Sequence, residues 1–554
     1  MAEGSNPSDG GSFHMTPDDF RRVGHRMIDF IADYMAGVER WPVSSADRPG
    51  DLLARLPEHP PEVGIAGAAR GAQALNAGSV APEDPPAPDS WDRVFDDLSR
   101  LILPGLMHWQ HPSFFGYFPC NATGPAILGE LLSAGLGVQG MLWRTSPACT
   151  ELEMRMLDWM GELLGLPACF RSDAANPSPE GPLGGGGVIQ GTASEAVLTS
   201  LVAAREKWRR WQTRGARRRE ALDAEIALAS TSIETPFAVV CSEAAHSSVA
   251  KAAVIAGIAE SPEDDEHVWT IPTDRSGGMD PRALRVRLER AGATPLAVVA
   301  TLGTTAMGGV DSIPGVMGVL RDVGLHTGPE EPGPDSSARP IWLHVDAAWA
   351  GSALVCPEHR WMASGIEHAD SLCVNPHKWL LTNFDCNLFW TRSRRDLVGS
   401  MSLNPEYLRN EASDAGRVID YRDWHVPLGR RFRALKLWFV LRHYGAEGLR
   451  RHIRLHCRLA ESFENRVRGD GRFELMRERS LALVCFRLRA GDAPTRELLE
   501  RANATGRVFL SHAAEAGGGR AFIRMAIGGV ATGREHVLEA WRLLQRTADE
   551  MGVR

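Results

Sequence analysis

The chain has 554 residues, 44% of them hydrophobic and 23% charged, enough for one large domain plus at least one smaller one. Its 61 basic and 69 acidic residues leave a formal charge of −8, which excludes a global basic field for nucleic acid or anionic lipid. Nine scattered cysteines form no C-x-x-C pair and no His/Cys cluster at zinc spacing. The expectation is reduced thiols in a cytoplasm, with neither a disulfide framework nor a metal site.

Residues 1–14 carry no basic n-region and no apolar h-region, so the segment reads as disordered and no secretory signal is expected. No uncharged apolar run approaches the length that spans a bilayer. Thr16-Pro17-Asp18-Asp19 supplies an N-cap, a first-turn proline and two acids, which starts a helix. Phe20, Val23, Met27, Ile31 and Tyr34 recur at helical spacing, so one face of that helix is expected to be buried. The Pro-, Ala- and Gly-rich stretch 57–88 reads as a long connection with weak helical pieces, and TGPEEPGPDSSARP (327–340) as an exposed loop. KWRRWQTRGARRR (207–219) reads as a solvated helix face, and no internal repeat is present.

The middle of the chain alternates short apolar runs with helical patterns. GVIQG (187–191), FAVVC (237–241), LAVVATL (296–302), IWLHV (341–345) and SLCV (371–374) are the predicted strands, with helices such as SEAVLTSLVAAREKW (194–208) between them. This alternation predicts an α/β fold with a largely parallel sheet, whose ligands lie beyond the carboxyl ends of the strands. The residues at those ends are Gly191-Thr192-Ala193-Ser194, His246, Gly303-Thr304-Thr305, Asp346, and Asn375-Pro376-His377-Lys378.

Taken singly, each has a plain structural explanation. GGGGVIQGTASEA (184–196) suits a phosphate at a helix start, yet ordinary capping explains it equally, and it is neither a Walker loop nor G-x-G-x-x-G. Asp346 in WLHVDAAWAG serves as a turn cap, or as a buried acid that keeps a heterocyclic nitrogen protonated. A lone His246 carries no assignment. Lys378 in VNPHKW either snorkels to solvent or is an amine of lowered basicity suited to a Schiff base. Together, an anion cradle, a carboxylate and such a lysine, each after its own strand, are the parts that hold pyridoxal 5′-phosphate.

At this point the chain resembles the pyridoxal-phosphate-dependent (group II) decarboxylases of the aromatic-L-amino-acid (DOPA) decarboxylase type. The similar segments are HWQHPSFFGYFP (108–119), SPACTELE (146–153), GGVIQGTASEA, AHSSV, ATLGTT, HVDAAWAGSA, NPHKWLLTNFDC and DYRDWHVPLGRRFRALKLWF (420–439). The resemblance implies a fold-type-I homodimer with its active site at the subunit interface. A disordered 1–14 would precede a dimer-clasping helical segment (15–123), a large, mainly parallel-sheet cofactor domain (124–435) and a small C-terminal α/β domain (436–554).

By position, Lys378 is then the Schiff-base lysine, Asp346 the partner of the pyridinium nitrogen, and His246 the imidazole stacked on the cofactor ring. Ala193, Ser194 and Asn375 would hold the phosphate, and Thr305 and His377 would line the cofactor site. Tyr407 in LNPEYLRN falls where the family carries a loop tyrosine that protonates Cα. Trp109, Pro119, Cys120, Gln139 and Met141 would face the substrate. Cys120 departs from the family's usual hydroxyl residue, Gln139 and Met141 from an apolar residue and a phenylalanine, and Trp349 from a tyrosine. The implied reaction turns an L-amino acid, expected to be aromatic, into its amine and CO2. The alternatives are an aromatic aldehyde synthase, a decarboxylase of a non-aromatic amino acid, and a scaffold without catalysis. The aldehyde-forming subgroup typically changes the loop tyrosine or the stacking histidine, so Tyr407 and His246 favour the amine.

Overall fold

A computed structural model describes residues 14–61, 64–65, 90–172, 184–220, 236–290, 292–328, 338–402 and 418–554. Most of the Pro-rich stretch, the middle of the 327–340 loop and all of 403–417, with Tyr407, lie outside the described residues. The chain divides into two units, Met1–His111 with Asn503–Phe509, and Pro112–Ala502 with Leu510–Arg554.

In the first unit, α1 (Pro17–Gly37) starts where its capping residues set it, with the Thr16 hydroxyl accepting the Asp19 N–H at 3.1 Å. Val23 on its apolar face is buried, whereas Phe20 is exposed. The Tyr34 hydroxyl meets His108 Nδ1 at 2.9 Å. Residues 503–509 join this unit through the Val43 N–H, which donates to the Gly506 carbonyl at 2.7 Å. Gly506 adopts φ +66° where Pro42 crosses closely, a place that suits glycine.

The second unit is built on a seven-stranded sheet. Its strands are β1 (Gly186–Gln190), β2 (Phe237–Ser242), β3 (Val268–Ile271), β4 (Thr294–Thr301), β5 (Trp342–Asp346), β6 (Ser371–Val374) and β7 (Asn387–Thr391). The order is β1-β7-β6-β5-β4-β2-β3, and only β7 runs antiparallel to its neighbours. β1, β2, β5 and β6 are buried at every position, which is why they read as unbroken apolar runs and not as alternating ones. The five predicted strands are present. β3 and β7 escaped notice because four or five residues such as VWTI and NLFWT carry no periodicity that separates a strand from a loop.

Three helices position the sheet. α2 (Gly124–Leu136) buries the small residues Ala126, Gly129 and Ser133, and a Cβ on Gly129 would lie 2.6 Å from Lys436 Cα. Only glycine permits that approach of α2 to the later helix carrying Lys436. α3 (Pro147–Leu164) brings Glu153, fully buried, to Arg430 at 2.6 Å. The same carboxylate accepts the Ile189 N–H at 2.7 Å and the guanidinium donates to the Ile189 carbonyl at 3.0 Å, so one ion pair clamps the middle of β1. α4 (Ala193–Glu220) leaves directly from the end of β1.

The C-terminal part adds an antiparallel sheet of β8 (Phe473–Leu475), β9 (Leu483–Leu488), β10 (Ser511–Ala514) and β11 (Ala521–Ala526), in the order β8-β9-β11-β10. α5 (Ala434–Gly469) and α6 (Arg534–Glu550) pack on it through Phe463, Phe473, Phe486 and Trp541, with ring centroids 5.0 to 6.2 Å apart.

Loss of water pushes three buried histidines down, His344 and His456 to about 4 and His377 to about 3. An unfolded histidine takes its proton near 6.5, so below that pH the unfolded chain binds more protons than the folded one. Their contribution to stability is therefore complete above pH ~6.5 and is lost as the pH falls toward ~4. Thermal unfolding followed from about pH 7 to pH 4 should show Tm falling through this window, and a flat Tm would contradict the burial of neutral imidazoles.

Candidate active site

The carboxyl ends of β1, β4, β5 and β6 open on one cavity of about 230 Å³. Ala193 and Ser194 reach it from the start of α4, Thr305 from the turn after β4, Asp346 from the last position of β5, and Asn375, His377 and Lys378 from the turn after β6. His246, from the loop after β2, completes the set. Parallel strands deliver these residues to one edge because all of them end on the same side.

Local hydrogen bonds set each position. Lys378 rides on a single helical turn, Pro376–Trp379, whose Lys378 N–H donates to the Asn375 carbonyl at 3.0 Å. From outside the sheet, the Asn121 side chain donates to the Lys378 carbonyl at 2.9 Å, and its N–H donates to the His377 carbonyl at 3.2 Å. His377 Nδ1 accepts the Cys386 N–H at 2.9 Å, and His246 Nδ1 accepts the Ser248 N–H at 3.1 Å. Each imidazole, when neutral, thus carries its proton on Nε2. Gly303, at φ +84°, lets the turn bearing Thr305 pass Ala350, where a Cβ would come within 2.6 Å.

The amine of Lys378 answers the question its sequence raises. Burial pushes it below its ordinary 10.5; the Asp346 carboxylate opposes that shift and the Arg524 guanidinium adds to it. Partial desolvation likewise lowers His246, with Asp346 opposing and Lys378 assisting. The wall beside the lysine is aromatic. Phe118 stacks on Trp349 at 4.4 Å, and Trp349 on Trp379 at 5.4 Å. The Phe118 ring lies 5.5 Å from Lys378 Nζ and 5.1 Å from Arg524 Cζ, within cation–π range of both.

Arg524 is a residue that sequence reasoning missed. It is buried on β11, donating from Nε to the Ala306 carbonyl and from Nη1 to Ser511 Oγ, each at 2.9 Å. The only signal was a cation inside the apolar run AFIRMAI (521–527). Arg524 lies behind Phe118, and Phe118, Thr301 and Phe384 themselves line the cavity without having been singled out. Thr301 precedes its turn by a few residues, and Phe118 and Phe384 come from outside the strand ends.

Several predicted substrate residues sit elsewhere. Pro119 and Cys120 follow Phe118 but do not line the cavity: Pro119 packs on Gly528, where a Cβ would come within 2.4 Å, and burial raises the Cys120 thiol. Gln139 and Met141 are also outside it; the Gln139 side-chain oxygen accepts the Arg430 N–H, and the Met141 carbonyl accepts the Arg422 N–H at 3.1 Å. Trp109 belongs to the first unit.

The donor set fits pyridoxal 5′-phosphate. Asn375 Oδ1 and Thr301 Oγ1 are buried at this cavity with no hydrogen-bond partner among the described residues, so a polar ligand would satisfy them. The start of α4 offers free backbone N–H groups to a phosphate. An amine and a carboxylate complete the fit. Fold and site together define a fold-type-I enzyme that uses this cofactor.

The model for the pyridoxal-dependent decarboxylase conserved domain matches residues 77–489, and the chain belongs to that family. It is 41% identical to phenylacetaldehyde synthase of Arabidopsis thaliana, over 96% of each chain. To aromatic-L-amino-acid decarboxylase of Cavia porcellus it is 39% identical, over 97% of this chain and 99% of the relative. Among solved structures, an Oryza sativa TDC with PLP and tryptamine superposes with a TM-score of 0.79 at 37% identity, covering 97% of this chain and 99% of that one. The protein is a pyridoxal-phosphate-dependent amino-acid decarboxylase of the aromatic-L-amino-acid decarboxylase type.

Borohydride reduction of the holoenzyme followed by proteolysis should place a pyridoxyl tag on the peptide carrying Lys378. Lys378→Ala should lose that tag and ~1000-fold or more of activity. A tag on another peptide would reassign the lysine.

Proposed function

We propose that the protein converts an aromatic L-amino acid (Trp, 5-hydroxy-Trp, DOPA, Tyr or Phe) into the corresponding amine and CO2. The observation that carries this reading is the convergence of Lys378, Asp346, His246, Asn375, Thr305 and the Ala193–Ser194 helix start on one cavity. Its aromatic walls, Phe118, Trp349 and Phe384, suit a flat substrate side chain. When bound, the cofactor supplies an electron sink for the pair left behind by CO2.

The chain's own residues do the rest. Lys378, its basicity lowered by burial, would hold the cofactor through its amine. Asp346 would keep a proton on the ring nitrogen, and Ala193, Ser194 and Asn375 would hold the phosphate. His246 would support the ring, while Thr305 and His377 would line its pocket. Tyr407 delivers the proton to Cα, a role that rests on its place in LNPEYLRN. Substrate contacts by Trp109, Pro119, Cys120, Gln139 and Met141 belong to the assembled enzyme.

We infer a homodimer. α2 exposes a stripe of four leucines, Leu128, Leu131, Leu132 and Leu136, each more than 40% exposed, while its small residues Ala126, Gly129 and Ser133 are buried. The proposed arrangement is a dimer-clasping segment (15–123), a cofactor domain (124–435) and a small domain (436–554). Among the described residues no helix is long and apolar enough to cross a membrane. None of the nine cysteines is in a disulfide, which supports a reducing, cytoplasmic setting.

A second reading rests on the 41% identity to a phenylacetaldehyde synthase and on the likeness to a solved 4-hydroxyphenylacetaldehyde synthase of Rhodiola rosea, with a TM-score of 0.77 at 34% identity. That reaction consumes O2 and water and releases aldehyde, CO2, ammonia and peroxide. Incubation with Trp, 5-hydroxy-Trp, DOPA, Tyr, Phe, His and Glu, with CO2, amine, aldehyde and peroxide all measured, separates the readings. The expected result is amine equal to CO2 from an aromatic substrate; stoichiometric peroxide would favour the aldehyde, and turnover of Glu or His alone would refute the aromatic assignment. Tyr407→Phe should retain cofactor colour yet lose amine formation by about 100-fold or more. Leu132→Glu should shift the sedimenting species from dimer toward monomer, whereas an unchanged species would exclude this face from the interface.

A further inference from the structure

Asp346 does not stand alone at the edge of the sheet. Its register partners are Thr301 on β4 and Cys373 on β6, so three side chains lie in one row across adjacent strands. Cys373 Sγ is 3.7 Å from Asp346 Oδ1, and the Ala348 N–H donates to that same oxygen at 3.0 Å. Asp346 Oδ2 accepts no hydrogen bond among the described residues, and Asp346 lines the cavity. Cys373 is fully buried, and a thiol with a single proton beside a carboxylate has one direction in which to donate.

We propose that Cys373 is a positioning residue for the cofactor. Its S–H and the Ala348 N–H engage Oδ1 from two sides, fix the plane of the carboxylate, and leave Oδ2 as the oxygen that meets the ring nitrogen. The inference rests on the reading of Asp346 as the partner of that nitrogen. With the S–H removed, Asp346 retains one donor and can rotate about its χ2 torsion, so the oxygen offered to the cofactor is no longer held in place.

The test uses full-length protein stripped of cofactor, with the affinity for pyridoxal 5′-phosphate read from quenching of tryptophan fluorescence. The pH dependence of the bound cofactor's visible absorption is recorded alongside. Cys373→Ala and Cys373→Val both remove the donor, and the second keeps the volume filled. Each should weaken binding by about three- to tenfold and shift the spectral titration, while Cys373→Ser, which keeps a donor, should stay within about twofold of the parent. Parental affinity and spectra in both Ala and Val variants would overturn the proposal. Equal weakening in Ala, Val and Ser variants would also overturn it, because packing and not donation would then be the cause. Asp346→Asn distinguishes the two levels of the argument. If it binds as tightly as the parent, the reading of Asp346 fails; if it is weakened while Cys373→Ala and Cys373→Val are not, only the role of Cys373 fails.

Discussion

A desolvated amine and a buried carboxylate that face the same cavity are the constraint on which the rest of this structure depends. Desolvating a charge costs several kcal/mol, so such a pair survives only where neighbours share its charge and its geometry is enforced. Here the enforcement comes from topology. Asp346 closes one strand and Lys378 follows the next, and the parallel register between β5 and β6 brings the two ends level. Neither position is a choice of side chain alone; each is a consequence of five neighbouring strands running the same way.

Behind the reacting groups lies a second layer that holds them still. Asp311, buried, accepts the N–H of Thr301 at 2.7 Å and pins the end of β4. His344 Nδ1 meets the Ser371 hydroxyl at 2.8 Å, tying β5 to β6 beneath Asp346. Trp379 Nε1 donates to His456 Nδ1 at 3.0 Å, so the residue next to the lysine is anchored to α5. The stack Phe118–Trp349–Trp379–His456 therefore runs without a break from the cavity wall to a helix of the C-terminal part. The histidines in this layer serve as neutral hydrogen-bonding rings, which ties the integrity of the site to pH.

The cavity of a single chain is open at its rim. Ser194, His246, Thr305 and Phe384 are exposed, although they are the residues expected to grip a cofactor and a flat substrate. The leucine stripe on α2 is open as well. The proposed second copy would account for both features, and it would exclude water from a centre whose chemistry suffers from it. In the proposed reading, the choice between amine and aldehyde would rest with Tyr407, whereas the cofactor would be held at the sheet edge.

The sequence by itself determined the class of fold and the chemistry. Five unbroken apolar runs alternating with helical patterns mark a parallel sheet, and the residues after those runs could be read directly because strand ends are local features. Lys378, Asp346, His246 and the start of α4 were legible for that reason. The tertiary structure alone decided what no local pattern encodes. Arg524 meets the cavity-wall ring of Phe118 from a strand nearly 150 residues beyond the lysine, Cys373 meets Asp346 only through strand register, and Gln139 turns its side-chain oxygen to the Arg430 N–H and not to this cavity. Contacts between segments distant in sequence depend on how surfaces fill space, and a linear pattern of polarity carries no record of which surfaces meet.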